Sequence, residues 1–142
     1  MTAAERAKEL LQRGGYSCVF CDRDRVLTDR RRGIAPILER IEAGESLSGM
    51  AVADKIIGKA AAMLLLCGGA ESVYGEVMSK QAKALLEDAG VTVSCGTLVK
   101  AIRNRTDTDI CPMEKAVASL KAPAEAPAVL RATLNRLMNP NT

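Results

Sequence analysis

Asp54-Lys-Ile-Ile-Gly-Lys-Ala-Ala-Ala-Met-Leu-Leu-Leu-Cys67, closed by Gly68-Gly69, decides the fold. Beyond its first turn the segment is apolar on every side. A surface helix keeps a polar face, so this pattern predicts a central, buried helix over Lys55–Cys67, with Asp54 as its N-cap. Gly49 to Asp54 reads as a short extended approach to it.

Downstream, two β–α units follow. Ser72 to Val77 is a strand, Ser79 caps a helix from Lys80 to Ala89, and Gly90 ends that helix. Val91 to Cys95 is the next strand, with a short helix expected around Leu98 to Ile102. A polar loop from Asn104 to Ile110 runs into Cys111-Pro-Met-Glu114 and one more helix. Lys121 to Pro127 is linker-like and precedes an amphipathic helix carrying Leu130, Leu134 and Leu137. Upstream, Thr2 and Glu5 form a capping-box pattern for a helix that Gly14-Gly15 stops. Tyr16–Cys21 and Arg25–Thr28 read as a hairpin about Asp22–Asp24. Ile34, Ile37, Leu38 and Ile41 share one helical face.

The expected fold class is α/β: three layers, a mixed sheet of about four to five strands flanked by helices, and one buried central helix. Residues 1–120 form the main domain. Residues 121–142 supply the linker and C-terminal helix, packed on the same domain or on a partner.

A chain of 142 residues has room for one domain. Hydrophobic residues make up 48% but aromatics only 2%, namely Tyr16, Phe20 and Tyr74, so the core must be aliphatic. That scarcity argues against a stacking platform for single-stranded nucleic acid. The net charge of +3, with acids and bases interleaved, argues against a polyanion binder. Nucleic acid is therefore not an expected partner, and the Arg23–Arg32 stretch reads as an exposed hairpin of mixed charge. Ala60–Cys67, the longest apolar run, is too short to span a bilayer. Five irregularly spaced cysteines without a signal segment point to free thiols in a reducing cytoplasm. Histidine is absent, which removes the commonest general base and zinc ligand.

The order of helix, hairpin, helix, buried helix and β–α units resembles the cytidine-deaminase-like fold. Asp54 to Ala62, together with Asn104-Arg-Thr and Cys111-Pro-Met-Glu-Lys115, is similar to an uncharacterised bacterial domain family placed on that fold. The family implies no activity. Deaminases of the fold hold zinc with His-x-Glu or Cys-x-Glu at the buried helix and Pro-Cys-x-x-Cys at the next. Here those positions carry Ala53-Asp54-Lys55 and Met78-Ser79-Lys80-Gln81, so neither metal nor cofactor is expected. What the resemblance leaves is a pocket at the start of the buried helix, near the strand ends.

Several residues compete for a role there. Lys55 and Lys59, four apart, would share a helical face beside Asp54 and Gly58, where two ammonium groups and a helix N-terminus favour a small anion. The plainer alternative is that both lysines reach the surface and Asp54 only caps. Cys111, before Pro112 and three residues ahead of Glu114, occupies an apparent N-cap, where a positive helix end favours thiolate. A capping box with Cys in place of Ser explains the same pattern. Asn104 and Arg105 could reach a ligand from the polar loop. Cys18 and Cys21, three apart on a strand, point to opposite faces and suit neither chelation nor a disulfide. One of them is expected to be buried and the other peripheral, while Cys67 and Cys95 read as buried small hydrophobes.

Two functions compete. One is a small-molecule enzyme with Cys111, Asp54 and Lys55 catalytic and Lys59, Gly58, Asn104, Arg105 and Glu114 binding the substrate. The other is a non-catalytic module that binds or senses a nucleotide-like anion. A homo-oligomer through the last helix stays open.

Overall fold

The computed structural model describes residues 1–139. Helix α1 (Ala3–Gly14) opens with the expected capping box: the Thr2 hydroxyl accepts from Glu5 N at 3.1 Å, and the Glu5 carboxylate accepts from Thr2 N at 3.4 Å. Gly15 closes it with φ +70°, a conformation costly to residues bearing a Cβ. Strands β1 (Cys18–Cys21) and β2 (Val26–Asp29) form the antiparallel hairpin. Asp22 shapes its turn by accepting from Asp24 N at 2.9 Å and Arg25 N at 2.7 Å. Helix α2 (Ala35–Glu42) leads to β3 (Ala51–Ile57), α3 (Lys59–Gly68), β4 (Ser72–Ser79), α4 (Lys80–Asp88) and β5 (Thr92–Val99). The chain ends in α5 (Pro112–Val117), a 3₁₀ turn at Pro123–Glu125, and α6 (Ala126–Met138).

The sheet has five strands in the order β2-β1-β3-β4-β5. β1 is antiparallel to both neighbours, while β3, β4 and β5 are parallel, as two successive β–α crossovers require. Helices cover both faces. On one, Ala7 and Leu11 of α1 pack with Val19, Cys21, Ala53 and Tyr74. On the other, α3 is sealed between the sheet and the remaining helices, with its residues 59–65 all buried. α6 lies against α2, α3 and α5, burying Ala126 and Leu130 completely. Arg131 there forks onto the Glu42 carboxylate at 2.8 and 2.6 Å. Among the described residues no helix is long and apolar enough to cross a membrane.

Two element boundaries differ from expectation. The buried helix begins at Lys59 with Gly58 as N-cap, not at Lys55 behind Asp54. Lys55-Ile-Ile57 instead continues β3, because Ile56 and Ile57 find ladder partners in Val77 and Met78 of β4. The expected helix around Leu98–Ile102 is likewise replaced by strand: β5 runs on to Val99, pairing Leu98 with Met78 and Val99 with Ser79.

Candidate functional site

The start of α3 lies at the C-terminal end of β3, where a helix N-terminus is buried beneath α5. The first N–H groups of a helix lack intrahelical partners. Gly58 has no side chain with which to cap them. Glu114, from α5, does so instead: its two carboxylate oxygens accept from Lys59 N and Ala60 N, each at 2.8 Å. A Cβ at position 58 would collide with this carboxylate, so glycine is required for the approach. The exchange is reciprocal. The buried Lys59 ammonium donates to the carbonyls of Ala118 at 3.1 Å and Leu120 at 2.8 Å, satisfying the C-terminal side of α5. A carboxylate sits on the positive end of α3 and an ammonium on the negative end of α5.

A second polar group lies behind this clamp. Asp54 sits within β3, opposite Cys18 of β1. Burial pushes its carboxyl up to about 7, opposed by a bond from Ile56 N at 3.1 Å, by the Cys18 thiol and by Lys55 N. Burial first, and the Asp54 carboxylate second, raise the Cys18 thiol well above its ordinary range. The pairings Asp29↔Cys18, Cys18↔Asp54, Asp54↔Gly75 and Gly75↔Cys95 form one continuous row across all five strands.

The expected site residues thus fall into separate places. Asp54 is in mid-strand and caps no helix. Lys55 is exposed on β3 while Lys59 is buried on α3, so the two share no helical face. Gly58 and Glu114 do meet at the start of α3. Cys111 is the N-cap of α5 ahead of Pro112, but its side chain makes no cap hydrogen bond. The Glu114 side chain crosses to α3 rather than returning to Cys111. Asn104 organises its own loop, accepting from Thr108 N at 2.9 Å, and Arg105 is exposed. Cys18 and Cys21 face opposite cores as their spacing required, yet both are buried, because α1 covers the face that Cys21 occupies. Cys67, expected to be buried, is exposed: it lies in the last turn of α3, beyond the sealed stretch, and donates to Pro123 O at 3.0 Å.

Of the two residues read as standing in place of zinc ligands, Asp54 is a strand residue and Ser79 caps α4, its hydroxyl accepting from Ala82 N at 3.1 Å. Among the described residues no three Cys, Asp or Glu side chains gather into a metal-holding group.

Residues 6–134 match the family described as TM1506: Domain of unknown function (DUF1893). The chain belongs to the DUF1893 family. A crystal structure of a DUF1893 family protein (TM1506) from Thermotoga maritima superposes with a TM-score of 0.80 at 26% identity, covering 93% of this chain and 88% of that one. No curated protein matches the chain. Within this DUF1893 chain, the Cys18–Asp54 contact and the Glu114–α3 contact escaped sequence reasoning. Cys18 and Asp54 meet only through strand register. Nothing local pointed to Glu114 as the cap, because the helix start was expected at Lys55 behind Asp54 rather than at Gly58-Lys59.

Proposed function

We propose that this DUF1893 chain is a non-catalytic binding module for a small anionic molecule, on a cytidine-deaminase-like fold that lacks the zinc ligands. The strand order, the antiparallel β1 and the buried α3 support that fold assignment. The single observation that carries the reading is the Glu114 carboxylate on Lys59 N and Ala60 N. It is an internal anion held as helix N-termini hold phosphates and carboxylates, at the C-terminal ends of the parallel strands. A ligand phosphate or carboxylate would replace it and release α5.

Thermal unfolding in inorganic phosphate and in a nucleoside monophosphate tests the exchange. Glu114→Ala, which vacates the N–H pair, should gain stability at roughly millimolar ligand by mass action. The wild type should need more, because the ligand must displace Glu114. No stabilisation of either protein by either anion would sink the reading.

A thiol enzyme is the second reading, and what favours it is the Asp54 carboxyl held near 7, suited to moving a proton at neutral pH. In that reading Cys111 is the nucleophile, Lys55 and Asp54 assist, and Asn104 and Arg105 contact the substrate. It ranks second because the Lys59 ammonium is committed to Ala118 and Leu120.

A further inference from the structure

The two edges of the sheet are built differently. β2, at one end, has four residues and is bracketed by charge, with Arg23, Asp24 and Arg25 before it and Arg30, Arg31 and Arg32 after it. Short, charged edges are how soluble proteins keep unpaired strands from sticking together. β5, at the other end, has none of these guards. Its eight residues, Thr-Val-Ser-Cys-Gly-Thr-Leu-Val, include no charge and no proline, and none has positive φ. Every side chain along it is exposed or half-exposed, Leu98 by 42%. Among the described residues it pairs with β4 alone, and no other backbone hydrogen bond reaches residues 93–99.

From this contrast we infer that β5 is the seat of a two-fold dimer, in which it pairs antiparallel with β5 of a second copy to make one ten-stranded sheet. Charge selects that occupant. Lys100 lies just past the C-terminal end of β5 and Asp88 at the end of α4, just before its N-terminal end. Both are exposed, and neither takes part in an ion pair among the described residues. Antiparallel pairing about a two-fold axis sets each Lys100 opposite residues 90–92 of the second copy, two to four positions from its Asp88, twice per dimer. The uncharged strand between them lets the copies meet without repulsion. A two-fold axis normal to the sheet permits only this antiparallel arrangement. The axis falls near Cys95 and Gly96, which brings the two Cys95 side chains within about 8 Å of each other.

Sedimentation across a concentration series should give twice the 15.1 kDa chain mass for the wild type. Thr97→Lys and Ser94→Lys, both at exposed positions, should each give the monomer with an unchanged far-ultraviolet circular dichroism spectrum. Lys100→Glu should raise the dimer dissociation constant about tenfold, a factor equivalent to roughly 1.4 kcal/mol. Adding Asp88→Lys to it should restore the wild-type value. A short bis-maleimide should link Cys95 to Cys95 in a Cys67→Ser, Cys111→Ser background. A wild type that is monomeric at every concentration would overturn the proposal, leaving the edge to a foreign strand. So would a dimer that survives both lysine variants, one abolished by Leu137→Glu on α6, or a double charge swap that restores nothing.

Discussion

Asp54 is the residue whose surroundings most change its chemistry. Its carboxyl titrates near 7 in the folded chain and near 3.8 in a solvated one, so the native state binds the extra proton between those values. Stability from this group is then greatest below about pH 4, falls as pH rises toward 7, and levels off above it, a loss on the order of a few kcal/mol. The groups facing the pair are Asp29, across β1, and Arg40, from α2. Asp54→Asn should flatten the decline, read as urea midpoints at pH 5, 6 and 7.5; an unchanged slope would assign it to other groups. The cysteines divide by burial. Native protein should be alkylated by iodoacetamide at Cys67 and Cys111, with Cys18 and Cys21 protected until unfolding, as mass-spectrometric mapping would show. Lys59→Met should leave the Cys111 rate unchanged, because that ammonium is directed at Ala118 and Leu120. A slower rate would favour the thiol enzyme over the binding module.

At the scale of elements, α3 and α5 terminate one another. Lys59→Met leaves two carbonyls without their donor and should cost about 1–3 kcal/mol in denaturant unfolding. Gly58→Ala keeps an ordinary backbone conformation, φ −106°, but drives the Glu114 carboxylate off its two N–H groups. Hydrogen exchange should then quicken across α5 while β3 and β4 stay protected; uniform protection would mean that α5 is held by its apolar contacts alone. Elements of this kind explain what could be read from the chain. The caps of α1 and α4 were legible, since Thr2 with Glu5 and Ser79 with Ala82 act within three residues. The α3 start was not, since its cap comes from 54 and 55 residues away. The β3–α3 and β5 boundaries were misplaced for a related reason: Lys55, Ile56 and Leu98 accept helix or strand, and only a neighbouring strand decides between them.

For the whole molecule, the buried centre could be read directly, because a segment with no polar face has nowhere to go but inside. The α/β layering followed from the alternation of strands and helices, whereas the meeting of Cys18 with Asp54 required the completed sheet. The core is aliphatic, with Phe20 the one fully buried aromatic among the described residues. Leu130 of α6 belongs to it and is fully buried. Leu130→Ala should therefore cost about 2–5 kcal/mol, measured by urea denaturation; a loss below 1 kcal/mol would mean that α6 is only loosely attached. The distance between Lys59 and Glu114 along the chain also sets a schedule. Synthesis proceeds from the N-terminus, so the central helix leaves the ribosome long before the carboxylate that completes it. A nascent chain that has emerged only as far as residue 110 would hold the whole sheet yet leave Lys59 N and Ala60 N without the Glu114 carboxylate. It should remain protease-sensitive until α5 and α6 emerge, so that a segment made late certifies one made early.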